Sequence, residues 1–498
     1  MSQSLRSPIV SRMNVLMRAC CTACVVLLLA TILACSGRDR LPNVVLVIVD
    51  DLGWRDLGVY GSTFYDTPAI DSLARTGALF TQFYAASPVC SPTRASLMTG
   101  RHPARLGITN WIGGERDGPL LQAEYERQLA LEEYTLGEAF RDAGFATGYI
   151  GKWHLGIAPY LPDSQGFDVT VAVNDGGQPS SYFYPYRDTR TPRLDVPDLE
   201  DGASGEYLTD RLAAEAVRFI ESHRDGPFFL VLSHYAVHTP LQAPDELVRP
   251  YAERSQALRT SDPGSVPEGP NAFTKLRQDH PVYAAMVEQV DRSLGRLVET
   301  LDALGLAERT IVVLVSDNGG LSTVEGRETG MPTSNEPLRA GKGWLYEGGI
   351  RIPLIVRAPA VAPGTVVTRP GVTMDLFPTL LDLVGLDPRP AYHLDGSSLV
   401  PLLVGADRET TPVLSWHFPH YHGSGNLPSG AIRAGDWKLI EWFETGAVEL
   451  YDLATDSAEV VDVAAVQNAV ADSLRALLTE WRAAVAAAMP ATNPEWER

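Results

Sequence analysis

The stretch Asn43 to Val49 (NVVLVIV) is a continuous apolar run of strand length, rich in β-branched residues. A strand without a polar face belongs in a sheet covered on both sides, the usual situation of parallel sheets flanked by helices. Phe228 to Leu232, Thr310 to Val315 and Ile352 to Val356 repeat the pattern. Helical periodicity occupies Tyr134 to Ala143, Tyr207 to His223 and Val282 to Leu304. The alternation predicts an α/β fold, a large doubly wound sheet, mixed or mostly parallel, with helices on both faces. From about Pro388 the character changes. Trp437 to Phe443 and Val448 to Leu453 read as antiparallel strands, and Asn468 to Ala488 as a closing amphipathic helix. We therefore expect a main domain over 42–389 and a small C-terminal α+β subdomain with an antiparallel sheet over 390–485.

The chain begins differently. Arg6, Arg12 and Arg18 precede an apolar run from Ala19 to Ala34, with no acidic residue before Asp39. A basic segment followed by a short apolar one reads as a secretory signal, slightly short for a membrane-spanning helix. Its end, Ile32-Leu33-Ala34-Cys35, resembles a bacterial lipobox cleaved before a lipid-bearing Cys35. Residues 1–35 are thus expected to direct export to the periplasm or cell surface, with an outer-membrane lipid anchor; a plain signal peptide or short anchor is the alternative. Four of the five cysteines (Cys20, Cys21, Cys24 and Cys35) lie in this leader, leaving Cys90 alone in the folded part. An exported domain with one thiol has no internal disulfide, and that thiol must be buried or used. The net charge of −20 argues against nucleic acid as a partner. An anionic substrate must be gripped by a local basic site.

Ligands of open α/β sheets bind outside the carboxyl ends of the strands. Two apolar runs end there in acidic residues: Asp50-Asp51 after the first, and Asp317-Asn318 after Val315-Ser316. Either pair alone could be a turn or helix cap. Together they make an all-oxygen set suited to Ca²⁺, or less well Mg²⁺, and not to zinc.

Cys90-Ser91-Pro92-Thr93-Arg94 continues into Leu97-Met98-Thr99-Gly100-Arg101. Gly151-Lys152-Trp153-His154 follows a strand-like segment, Thr147 to Ile150. Pro227 to Pro240 contains His234 and, before Thr239-Pro240, His238. Leu338 to Gly343 contains Lys342 and is followed by Tyr346-Glu347-Gly348-Gly349. These ordered motifs resemble the type I sulfatases, arylsulfatase-like members of the alkaline-phosphatase-like superfamily. In that family the cysteine of Cys-x-Pro-x-Arg is oxidised to formylglycine by a formylglycine-generating or radical maturation enzyme. The resemblance implies metal ligation by Asp50, Asp51, Asp317, Asn318 and the modified Cys90. It implies Cys90 as nucleophile, surrounded by Arg94, Lys152, His154, His238 and Lys342. His234 is expected to be structural. Pro92 suits the first turn of a helix, which would put residue 90 at an anion-favouring N-terminus.

By the same resemblance, one hydroxyl of the hydrated aldehyde attacks sulfur, and His238 with Lys342 protonates the leaving oxygen. His154 then deprotonates the second hydroxyl so that sulfate is released. The spacing alone does not separate the two histidines' roles. Two polar–aromatic segments, Trp416 to His422 and Asn174 to Tyr186, are candidates for sugar contact or for simple packing. The expected substrate is a sulfated carbohydrate, in preference to an aryl sulfate. A phosphodiesterase or phosphonate monoester hydrolase of the same superfamily, and a non-catalytic glycan-binding lipoprotein, are the rival readings.

Overall fold

A computed structural model describes residues 41–258, 264–392, 395–406 and 412–496. The leader and Cys35 lie outside the described residues. Nine strands form the main sheet: β1 (Asn43–Val49), β2 (Ala78–Tyr84), β3 (Ala146–Gly151), β4 (Val169–Val171), β5 (Phe228–Ser233), β6 (Thr310–Ser316), β7 (Arg351–Arg357), β8 (Thr365–Val367) and β9 (Gly371–Val372). Their order is β8-β2-β7-β6-β1-β5-β3-β4, with β9 also paired to β2. Pairing is parallel from β6 to β4, and only β7 runs antiparallel to both its neighbours. The sheet is therefore mixed and mostly parallel, as the continuous apolar runs predict.

Every residue of β1 is buried. Val45, Val47 and Val49 pack into the core made with helices Leu208–Ser222 and Pro281–Ala303. Val44, Leu46 and Ile48, on the opposite face, are equally inaccessible. A strand buried on both faces tolerates no alternation, which is why its sequence shows none. The helix predicted over Tyr134 to Ala143 spans Leu136–Asp142. Thr135 caps it, its side chain accepting from the Glu138 amide while the Glu138 carboxylate accepts from the Thr135 amide. This reciprocal pair defines the helix start.

The C-terminal sheet is antiparallel and four-stranded: β10 (Val413–Phe418), β11 (Ser429–Ala434), β12 (Trp437–Trp442) and β13 (Val448–Asp452). One face receives helix Asn468–Ala484 through Ala471, Leu474 and Leu478. That helix stops four residues short of the predicted Ala488, where Ala486 turns left-handed at φ 53°. The other face, with Trp416, Phe418, Ile440 and Tyr451, packs against Trp344, Leu345, Tyr346 and Ile350. The subdomain is thus seated on the segment that follows Lys342.

Candidate active site

The strand directions create the site. The parallel strands β6, β1, β5 and β3 all end at one edge of the sheet, and their next residues are Asp317-Asn318, Asp50-Asp51, His234 and Lys152. Strand β2 also ends there, six residues before Cys90, while the antiparallel β7 starts there, after Lys342 and Glu347. All six adjacent strands therefore deliver functional side chains to the same place, as open α/β sheets generally do.

Cys90 begins helix Cys90–Thr99, all of whose residues are buried, and which ends at Gly100 in the left-handed conformation. One turn on, Arg94 reaches back under the site. Its Nε and Nη2 hold the Asp317 carboxylate at 2.9 and 2.8 Å, and Nη1 donates to the Lys152 carbonyl and to Ser233 Oγ. Lys152 Nζ contacts Asp50 Oδ2 at 2.6 Å, and Lys342 Nζ contacts Asp51 Oδ1 at 2.6 Å. Asp51 adopts a left-handed φ of 61°, unusual for a side-chain-bearing residue. Its amide donates to Asp317 Oδ1 at 3.1 Å and Asn318 Nδ2 donates to its carboxylate at 2.8 Å, so Asp317 and Asn318 of the neighbouring strand hold this turn.

The two histidines differ in which nitrogen is free. His154, also left-handed at φ 58°, contacts the Ile112 carbonyl through Nε2 at 3.1 Å. A carbonyl only accepts, so Nε2 carries the proton and the buried, unpartnered Nδ1 keeps its lone pair. Burial, and then the Lys152 ammonium, push His154 down to about 3. His238 has the opposite arrangement. Its Nδ1 faces the Thr239 carbonyl at 3.0 Å, and its Nε2 lies 3.6 Å from Asp51 Oδ2. Burial and Lys342 push it down to about 3, against the pull of Asp51. Although burial opposes its charge, the Asp51, Cys90 and Asp50 neighbours hold Lys342 above its ordinary value.

The oxygen set fits a hard cation. Asp50 Oδ1 and Asn318 Oδ1 are buried and without hydrogen-bond partners. Donor atoms of Asp50, Cys90 and Asp317 lie within 4.8 Å of one another, and those of Asp50, Asp51 and His238 likewise. Burial, and then the neighbouring Asp317, raise Asp50 well above the usual carboxylate range, so its charged form is disfavoured. A cation bound there would favour the charged form. The three carboxylates are balanced by Arg94, Lys152 and Lys342, so a divalent ion leaves the site net positive and ready for an anion.

All the predicted site residues converge here, and His234, expected to be structural, stands apart. His234 is buried, with Nε2 3.0 Å from Ser293 Oγ on helix Pro281–Ala303. Ser233, Thr239 and the Ile112 carbonyl orient Arg94 and the two histidines; sequence reasoning overlooked them, and two act through backbone carbonyls that carry no sequence signal. The aromatic segments are mostly structural. Trp416 and Phe418 are core residues, and Trp416 Nε1 donates to the Ala85 carbonyl. Tyr182 and Tyr186 are buried, with Tyr182 OH donating to the Tyr235 and His238 carbonyls.

Known proteins are similar to this chain. The sequence matches the Sulfatase family over residues 42–386, and the C-terminal family of N-sulphoglucosamine sulphohydrolase over 340–484. It is 34% identical to N-acetylgalactosamine-6-sulfatase of Mus musculus, over 88% of this chain and 80% of the relative. It is 30% identical to a sulfatase of Formosa agariphila, over 88% of each. Among solved structures, Ps i-CgsB in complex with k-i-k-neocarrahexaose superposes with a TM-score of 0.71 at 29% identity, over 89% of this chain and 93% of that one. The sheet edge that gathers three cations and three carboxylates around a helix-terminal cysteine thus lies in a chain with named relatives over most of its length: the protein belongs to the sulfatase family and is a sulfuric ester hydrolase.

Proposed function

We propose that the chain hydrolyses sulfate esters of carbohydrates, with formylglycine made from Cys90 as nucleophile and calcium held by Asp50, Asp51, Asp317, Asn318 and residue 90. The carrying observation is the buried, charge-balanced cluster around Cys90 with its unpartnered Asp50 and Asn318 oxygens. Formylglycine, as a hydrate, supplies a hydroxyl nucleophile with a second hydroxyl for product release, and calcium supplies fixed positive charge at the sulfate. The chain's own residues do the rest. Lys152 and Lys342 present ammonium groups to the sulfate oxygens, where a low-dielectric site makes each charge count for more than in water. Arg94, tied to Asp317, Ser233 and the Lys152 carbonyl, positions these partners. The free Nδ1 lone pair of His154 suits it to accept a proton at residue 90. His238 Nε2, beside Asp51, is where a proton for the departing oxygen can be held, with Lys342 as its neighbour.

The carbohydrate assignment is supported by relatives named for N-acetylgalactosamine 6-sulfate and by a structure containing a neocarrahexaose. The enzyme requires a maturation partner to oxidise Cys90. It is exported and lipid-anchored at Cys35, so Cys35→Ala should move it from the membrane fraction to the soluble fraction. The test of function is release of inorganic sulfate from 4-nitrophenyl sulfate and from monosaccharide sulfates, lost on chelation and restored by Ca²⁺. Preferential hydrolysis of a phosphate diester or phosphonate would refute it.

A further inference from the structure

The run Trp416 to His422 is packed inward at six of its seven positions. His417 and His420 contact the Ala488 carbonyl and Thr109 Oγ1, each through Nε2, and Tyr421 OH bonds Glu444 and the Leu120 amide. His422 is the exception, only partly covered. It lies against the turn that carries the catalytic lysine. A Cβ on Gly343, the residue after Lys342, would come within 2.6 Å of His422 Nδ1. That turn is clamped from both sides: the Gly343 amide donates to the Pro88 carbonyl at 2.8 Å, and Trp344 Nε1 donates to the Ser424 carbonyl at 3.1 Å.

The ring's orientation is set locally. The Ser424 amide donates to His422 Nδ1 at 3.2 Å, so Nδ1 must keep its lone pair and the hydrogen sits on Nε2. No described group accepts from that Nε2. The titratable and charged groups acting on the ring are Lys342, Asp51, His238 and Arg116. Burial and then Lys342 keep it uncharged, down to about 3. An uncharged ring with a fixed N–H does not compete as a proton donor to the leaving oxygen. It offers a directional hydrogen bond to an uncharged acceptor, such as a hydroxyl or ring oxygen.

We propose that His422, through Nε2–H, hydrogen-bonds the sugar that leaves from the sulfate ester, and so helps select a carbohydrate leaving group. This rests on the carbohydrate reading above. The sulfate end is already served by the lysines, and His422 comes from the C-terminal subdomain, against the turn that carries Lys342.

The test compares wild type, His422→Ala and His422→Gln, the last retaining an N–H donor. The substrates are 4-nitrophenyl sulfate, which has no hydroxyl, and four sugars: galactose 2-, 4- and 6-sulfate and N-acetylgalactosamine 6-sulfate. We expect His422→Ala to lower kcat/KM on the best sugar about tenfold more than on the nitrophenyl ester, the range of one uncharged hydrogen bond. The loss should fall mainly on KM, leave the pH profile of kcat in place, and be partly restored in His422→Gln. Activity on the nitrophenyl ester reports that each variant folds. Equal losses on both esters, or a displaced pH profile, would overturn the assignment while leaving the sulfatase reading intact. A wild type that cleaves the nitrophenyl ester and none of the sugars would overturn it together with the carbohydrate reading.

Discussion

Replacing His238 with alanine separates proton donation from sulfate binding. Because Nδ1 is engaged with the Thr239 carbonyl, Nε2 is the only ring atom that can deliver a proton, and Asp51 Oδ2 lies 3.6 Å from it. At that separation and an effective dielectric constant of about 20, a carboxylate attracts an imidazolium by roughly 4–5 kcal/mol. At rest, burial and Lys342 outweigh this attraction and keep the ring uncharged, so the acid role requires that the ring gain its proton during turnover. A sugar alkoxide is strongly basic and cannot leave without a proton, whereas a nitrophenolate can. General acid catalysis contributes about 10²–10⁴-fold, or roughly 3–5 kcal/mol of barrier. His238→Ala should therefore slow a monosaccharide sulfate by about 10²–10⁴-fold and 4-nitrophenyl sulfate by about tenfold or less, the value of a lost hydrogen bond. The assay is kcat/KM over a series of leaving groups of graded basicity; the variant should show a much steeper dependence than wild type. Equal losses along the series would refute the reasoning and transfer the acid role to Lys342, whose ammonium shares Asp51.

Cys90→Ala should fold normally and lose turnover by about 10⁴-fold or more; activity within tenfold of wild type would remove residue 90 from the nucleophile role. Asp317→Ala breaks the oxygen set and strands the buried Arg94, so it should cost about 3–5 kcal/mol in stability, read by denaturant unfolding, and Ca²⁺ should fail to restore activity. Zinc without calcium or magnesium in the active protein would contradict the metal assignment. Lys438 is shared between Glu347 and Glu459 at 3.0 and 2.8 Å, all three fully buried. Burial, reinforced by Glu347, raises Glu459 to about 7 against the pull of Lys438. A carboxyl whose folded value lies above its unfolded one favours folding while protonated, so stability should fall as pH rises from about 4.5 through about 7. Glu459→Gln should flatten that part of the Tm–pH curve; an unchanged curve would show that Glu459 does not titrate there.

Much of the sheet is legible because β1, β5 and β6 are buried on both faces and read as unbroken apolar runs. Strand β2 (ALFTQFY) is not, since Thr81 and Gln82 interrupt it where the strand is only partly covered. The antiparallel direction of β7 is equally hidden, for RIPLIVR buries the same side chains whichever way it runs. Within the site, residues in short motifs after strands, such as Asp50-Asp51 and Lys152, are legible because the strand itself sets their position. The left-handed backbone at Asp51 and His154 is not, because tertiary contacts hold it against local preference. The density of aromatic and histidine residues in Trp416 to His422 suggests a sugar platform, but strand β10 turns Trp416 and Phe418 into the core and leaves His422 alone at the lysine turn. A contact between residues separated by nearly eighty positions, such as His422 and Gly343, has no local signature.

The central claim is that residue 90 works as formylglycine. The direct measurement is the mass of the peptide containing residue 90, from protein produced with a maturation enzyme, alongside its sulfate-releasing activity. Conversion of the thiol-bearing carbon to an aldehyde lowers the mass by about 18 Da. The converted fraction and the specific activity should rise together across preparations. Full activity in protein whose residue 90 is entirely unmodified cysteine would contradict it.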